Sequence, residues 1–217
     1  MINDLLKWGG KRSGLAPAAA GVQVSKGNDV VVSSKAFPKF VSALLQQPEP
    51  TVVIDFGPVI GGNVQFLGER LGCKLFIQDL VGEFDRQRKA GNTEGLAAAL
   101  EARLQQEDNS VDGVLCWDLF DFLDKTTAQS LAKRVTKMLK PGGAVMGLFC
   151  TSNVEKAPFT KYEVVDEHSL RHRVHAVTGG LKQALQNRDI IRMFEGLVVS
   201  DSFLLKNNTR EILLRKK

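Results

Sequence analysis

Cysteine is scarce in this chain. Its 217 residues hold only Cys73, Cys116 and Cys150, and none stands in a CxxC pair. A set this small and odd excludes a disulfide scaffold and a cysteine-built zinc site, and it favours a reducing compartment. Long apolar runs are also missing. No stretch approaches the ~18 residues that cross a bilayer, so no membrane partner is expected. The apolar part of segment 1–22 is short and interrupted, which argues against a secretory signal and leaves a cytoplasmic location as the expectation. There is no internal repeat and no low-complexity tract. A strong charge imbalance is absent too. The formal charge is +5, and much of it sits at the ends, on Lys7, Lys11 and Arg12 and on Arg210, Arg215, Lys216 and Lys217. That pattern fits solvated tails and does not by itself argue for nucleic-acid binding.

What is present is ordinary globular material. Hydrophobic residues make up 43% of the chain and charged residues 24%, and the length suits one domain with a full core. The informative part is 51–79, TVVIDFGPVIGGNVQFLGERLGCKLFIQD. The β-branched run Val52-Val53-Ile54 reads as a buried parallel strand and ends in Asp55. A turn with Gly57, Pro58, Gly61 and Gly62 follows at once. Its glycines let the chain bend into the helix predicted over 64–71 and let a ligand approach the backbone without meeting a Cβ. Free N–H groups at the helix start can hydrogen-bond a polar or anionic ligand. A second apolar run, 74–77, closes at Asp79, an acid placed to accept bonds from ribose hydroxyls. This order is that of a nucleotide-binding βαβ unit. It also serves a plain βαβ unit that holds no ligand.

Residues 1–36, rich in Gly, Ala, Ser and Lys, are expected to be a partly ordered lead-in, with a short helix at 2–8 and a short strand at 30–32. Residues 37–217 are expected to form a single domain. Phe37, Phe40, Val41, Leu44 and Leu45 share one face of a helix over 37–46, stopped by Pro48 and Pro50. Segment 83–90 reads as a charged surface turn or short helix, and 93–106 as a helix. VDGVLCW, 111–117, is a strand ended by Asp118. An amphipathic helix over 126–139 is terminated by Lys140-Pro141-Gly142-Gly143, and 144–149 is a buried strand. Segments 161–165 and 170–177 read as a polar hairpin broken by Gly179-Gly180, and 181–194 as a helix. Strands at 197–205 and 211–215 close the chain around an Asn207-Asn208 turn. Alternating helices and strands with an antiparallel finish give an α/β three-layer sandwich.

Taken in order, these segments resemble class I S-adenosylmethionine-dependent methyltransferases. VVIDFGPVIGG is similar to the family's first motif, an acid followed by a glycine turn. LFIQDL resembles the second strand with its ribose-binding acid, and VDGVLCWDLFDFL the fourth strand and its loop. LKPGGAVMGLF resembles the turn into the fifth strand, and the last two strands the family's reversed final hairpin. The likeness covers about 37–217. It implies a Rossmann-like sandwich with a mostly parallel, seven-stranded sheet, S-adenosyl-L-methionine as cofactor, and a small-molecule methyl acceptor. It also implies roles. Asp55 would orient the turn and meet the ligand's amino group through water. Gly57 and Gly61, with Pro58 between them, would line the methionine portion. Asp79, followed by Leu80, would take the ribose. Trp117 and Asp118 would sit near the sulfonium and the acceptor. Asp55, Asp79 and Asp118 each have a second reading as turn or cap residues. Two departures stand out: Val59 occupies the middle glycine position, and the family's third strand is not recognisable over 81–109.

A sulfonium is already an activated leaving group. Alignment of donor and acceptor therefore supplies much of the rate, and a base is needed only where the acceptor must lose a proton. Asp118, Asp121, His168, His172 and His175 are the candidates, and none is assigned. No Cys–His or Ser–His arrangement points to covalent catalysis. The three histidines read as surface or lid residues, because a metal site would lack a third ligand. The run 117–123 has two compatible readings. In one, Leu119, Phe122 and Leu123 pack into the core with Asp118 as a helix cap. In the other, Trp117 and Phe120 lie against donor or acceptor. No nucleic-acid module or Asn-Pro-Pro-aromatic motif appears, so a small or medium-sized acceptor is the expectation. A binding or regulatory protein without turnover is the alternative, motivated by Val59 and the missing third-strand acid. A nicotinamide-dependent oxidoreductase is disfavoured by the lack of GxGxxG. The lead-in or the last hairpin offers a pairing surface for a homodimer.

Overall fold

The computed structural model describes residues 29–217, apart from the side chains of 175–178. The helix expected at 2–8 lies outside the described residues. In chain order the first elements are β1 (Asp29–Ser33), α1 (Ala36–Leu45), β2 (Val52–Asp55) and α2 (Gly61–Asn63), which continues as π-helical turns over Val64–Arg70. Next come β3 (Lys74–Ile77), α3 (Leu80–Lys89), α4 (Leu96–Glu101), β4 (Val111–Trp117), a 3-10 turn at Leu119–Phe122, and α5 (Lys125–Met138). The chain finishes with β5 (Leu139–Cys150), β6 (Val154–Asp166), β7 (Ser169–Lys182), α6 (Asn187–Met193), β8 (Leu197–Leu204) and β9 (Thr209–Lys216).

The main sheet has the order β3-β2-β4-β5-β9-β8. Its first four strands are parallel, and β9 runs antiparallel between β5 and β8. The C-terminal hairpin is therefore as expected, but the sheet is mixed and has six strands among the described residues, not seven. No strand forms between β3 and β4. That segment is too charged for a buried parallel strand, and its charges pair along α3 instead: Glu83 with Arg86, and Asp85 with Arg88 and Lys89. Such spacings support a helix. The helix expected over 93–106 is cut to α4, because Arg103 turns away to donate to the Gln78 carbonyl at 2.9 Å.

Successive residues of each strand face opposite layers. Val53, Leu115, Met146 and Leu213 pack against Phe37, Phe40 and Leu44 of α1 and against Phe66 and Leu67 of the π-helical turns. Ile54, Val114, Val145 and Leu214 pack against Leu80, Leu100, Leu131 and Ile190 on the other side. The result is the three-layer sandwich. The start of α1 is held by the buried Glu211 carboxylate of β9, which accepts from the N–H groups of Lys35 and Ala36 at 2.8 and 2.9 Å.

A second sheet, β1-β7-β6, is antiparallel. The short strand expected at 30–32 is its β1, so part of the expected lead-in is built into this sheet. Its hairpin is longer than the local pattern implies. β7 runs through Gly179-Gly180 to Lys182, and the helix expected over 181–194 shrinks to α6. Tertiary bonds account for this: the Gln183 N–H donates to the Asp121 carbonyl at 2.8 Å and Lys182 reaches Asp118.

One position tests the α1 layer. Phe40 is fully buried over Gly113, where an added Cβ would lie 2.8 Å from the Phe40 ring and 2.6 Å from Leu44. Phe40→Ala should cost about 3–5 kcal/mol, read as a lower urea midpoint with an unchanged slope.

Candidate active site

The carboxyl ends of β2, β3 and β4 meet at the glycine turn. Asp55 ends β2 with no exposed surface, and its carboxylate accepts three hydrogen bonds. The Gly57 N–H donates at 2.8 Å, the Asn63 amide at 3.0 Å and the Trp117 indole N–H at 2.6 Å. All three donors are neutral. Burial pushes the Asp55 carboxyl pKa up, while the bonds from Trp117, Gly57 and Asn63 pull the other way. Asn63 also donates to the Tyr162 carbonyl at 3.0 Å and accepts from the Val164 N–H at 2.7 Å, so it ties β6 to the turn.

Trp117 ends β4, buried, with φ at +50°. Asp79, after β3, has φ at +45°. Bulky or branched side chains rarely adopt this left-handed region, and the cost is about 1–3 kcal/mol per residue. Both positions flank the turn; the strain falls on Trp117, since Asp adopts this region more readily. The Trp117 ring stacks on Tyr162 with centroids 5.2 Å apart and planes 8° apart. The far side of Tyr162 meets His172 edge-on at 4.8 Å. Burial pushes the His172 pKa down to about 4.

Asp118 shares no hydrogen-bond donor with Asp55. Its carboxylate accepts from the Tyr162 hydroxyl at 2.8 Å and from the Lys182 ammonium at 2.6 Å. Burial works to lower the Lys182 pKa, but the carboxylates of Asp118 and Asp121 outweigh it and raise it. Burial and the neighbouring Asp118 raise the Tyr162 hydroxyl well above its usual value. Asp121 accepts from the Cys150 N–H at 2.8 Å, and its other oxygen is buried without a partner. Burial pushes its carboxyl up to about 7.

The expected site residues therefore divide. Asp55, Gly57 and Trp117 converge. Asp118 lies next to them but serves a separate polar cluster, and its side chain does not cap the following 3-10 turn. Asp79 is half-buried and accepts from the Gly82 N–H at 3.1 Å, capping α3. Leu80 is wholly buried in the core and its N–H goes to the Phe56 carbonyl, so it supports the site from behind and does not line it. Pro58 is half-exposed, and Gly61 is exposed with open space around it. Val59 is 75% exposed, so its side chain leaves the crevice clear. Phe120 does not reach the site: it packs on Phe194 in the core at 5.0 Å. His168 is exposed on the β6–β7 turn, and the side chain of His175 lies outside the described residues. Among the described residues no three His, Cys, Asp or Glu side chains form a metal-binding group. Asn63, Tyr162 and Lys182 were not foreseen as site residues. The position of Asn63, at the helix start beyond the glycines, was the available signal for one of them. A groove of about 610 Å³ runs along the free edge of β3, lined by Phe76, Gln78, Arg103 and Gln106 among others.

An open α/β sheet with an acid–glycine turn at the strand carboxyl ends and a second acid after the next strand is a Rossmann-like architecture with its ligand crevice at those ends. Residues 54–147, from β2 into β5, match the family described as "Methyltransferase domain". The match covers less than half of the chain and supports its likeness to the class I S-adenosylmethionine-dependent methyltransferase family. Among solved structures it is similar to the Burkholderia thailandensis 1,6-didemethyltoxoflavin-N1-methyltransferase with bound 1,6-didemethyltoxoflavin and S-adenosylhomocysteine. The identity there is 13% and the TM-score 0.52, covering 91% of this chain and 100% of that one. It is also similar to an S-adenosylmethionine-dependent methyltransferase from Mesorhizobium loti, at 12% identity and a TM-score of 0.49, covering 82% and 98%. No curated protein matches the chain.

Asp121 gives the site a pH signature. Its carboxyl titrates near 7 when folded, against 3.8 as a free side chain. Between these values the folded chain holds a proton that the unfolded chain has released. The contribution is therefore complete below about 4 and lost as pH rises through about 7. From pH 5 to pH 8 the unfolding free energy of Asp121→Asn should fall less than that of wild type. Equal changes in urea titrations would show that Asp121 is not held neutral.

Proposed function

We propose that the chain transfers a methyl group from S-adenosyl-L-methionine to a small or medium-sized acceptor. The observation that carries this reading is the Asp55-anchored glycine turn, set against the end of β4 inside the segment matched by the family. Open α/β sheets bind ligands in this crevice, outside the strand carboxyl ends. In this reading Gly57, Pro58 and Gly61 border the methionine portion and Asp79 exchanges its bond to Gly82 for the ribose hydroxyls. Asp55 faces the ligand's amino group. The acceptor enters from the side of β6 and β7, where Asp118, Lys182 and Tyr162 form a polar wall. Asp118, held by Lys182, is the group placed to receive a proton if the acceptor carries one. Three unpaired, buried cysteines fit a cytoplasmic setting. No helix among the described residues is long and apolar enough to cross a membrane. The exposed edge strand β8, with Val198, Val199 and Leu204, is the surface we assign to a homodimer.

One observation favours the alternative of a binding or regulatory protein without turnover: the Trp117 ring fills the space over Gly57. Ligand binding with no transfer to any screened acceptor would support it.

Calorimetric titration with S-adenosylmethionine and S-adenosylhomocysteine tests the cofactor. Micromolar binding is expected, weakened in Asp79→Ala by about 1–3 kcal/mol, the cost of leaving a buried polar partner unpaired. Absence of binding at millimolar ligand, both in the wild type and in variants that alter Trp117 or Tyr162, would refute the reading.

A further inference from the structure

Trp117 stands where the proposed cofactor needs to lie. A Cβ added at Gly57 would come within 3.1 Å of the indole Nε1 and 3.2 Å of Cδ1. The Nε1–Cδ1 edge of the ring therefore lies against the glycine that should admit the ligand. Its N–H holds Asp55 Oδ1 at 2.6 Å. One face of the ring is covered by Tyr162, whose hydroxyl is fastened to Asp118. The outer half of the turn is different: Gly61 has open space around it and Val59 points to solvent. The acid-and-glycine end of the crevice is thus shut and its outer end is open.

We propose that Trp117 is a gate on this site: cofactor binding removes the indole from Gly57 and Asp55, parts it from Tyr162, and puts the ligand's ammonium in place of the indole N–H. The proposal rests on the cofactor reading above. The exchange is noncovalent and balanced: one N–H···O bond to Asp55 is broken and one is made. It favours the ligand because Asp55 has only neutral donors, and a cationic donor makes the stronger, charge-assisted bond to a carboxylate. The left-handed backbone at Trp117 stores strain that opening can release. Opposing these gains are the lost stacking and burial of the ring, which hold the gate shut without ligand. While the gate is shut, the apparent affinity is reduced by the fraction of molecules that are open. Tyr162 links the two halves of the site, since it contacts the gate with its ring and the acceptor-side Asp118 with its hydroxyl.

The chain has two tryptophans, Trp8 and Trp117, so Trp8→Phe leaves Trp117 as the sole indole reporter. Titration of this protein with S-adenosylhomocysteine should shift Trp117 emission to longer wavelength and saturate at the ligand concentration seen by calorimetry. Trp117→Phe, which keeps an aromatic ring but loses the N–H, should bind roughly tenfold tighter as the closed state is depopulated. Tyr162→Phe, which frees the stack from Asp118 and keeps the ring, should bind tighter by a smaller factor. Binding by Trp117→Phe where the wild type shows none would also support the gate. Calorimetric binding with unchanged Trp117 emission, and no tighter binding in either variant, would overturn the gate and leave the cofactor reading standing. No calorimetric binding by wild type, Trp117→Phe or Tyr162→Phe would overturn both.

Discussion

The buried carboxylate of Asp55 is the constraint on which the site depends. Removing an ionisable group from water is costly unless its oxygens are fully bonded. Here the bonds come from three separate places: the backbone of the turn at Gly57, the amide of Asn63 on α2, and the indole of Trp117 at the end of β4. Satisfying one group therefore fixes the relative positions of β2, the turn, the following helix and β4. Asn63 extends the constraint, since its remaining polar atoms are taken by the Tyr162 carbonyl and the Val164 N–H. The small sheet is docked on the main one through the same residue that helps satisfy Asp55.

A second polar cluster balances the first. Asp118, Lys182 and Tyr162 form a buried ion pair and hydrogen bond between β4, β7 and β6. Asp121 stands close enough to feel both charged partners. The Trp117–Tyr162 stack separates this cluster from Asp55. Each ring is tied to one side, Trp117 to Asp55 and Tyr162 to Asp118, and the stack joins the two. A change at either carboxylate is felt through one aromatic pair. That arrangement joins the two carboxylates through side chains of two different sheets.

Much of the central framework was legible. The β-branched run before Asp55, the glycine turn, the apolar strand 111–117 and the final hairpin all depend on local pattern, and each formed. The convergence of Asp55, Gly57 and Trp117 was also within reach, because neighbouring parallel strands bring their carboxyl ends together. The failures share a cause. The helix expected over 181–194 gave way to strand because Lys182 and Gln183 are held by Asp118 and Asp121, more than sixty positions away in sequence. Phe120 went to the core, against Phe194, instead of to the crevice. Among the described residues the main sheet has six strands and no seventh, and the charged segment between β3 and β4 satisfies itself as a helix.

Taken alone, the sequence determined the alternation of strand and helix, the glycine turn with its flanking acids, and so the class of fold. These follow from side-chain periodicity and backbone freedom within a few residues of each position. Only the tertiary structure decided which donors complete Asp55, that Tyr162 and Lys182 gather on Asp118, and that the Trp117 ring lies against Gly57. Those contacts join positions far apart in the chain. Their partners are chosen by the need to satisfy buried polar groups once the layers have packed, a requirement that no local pattern records.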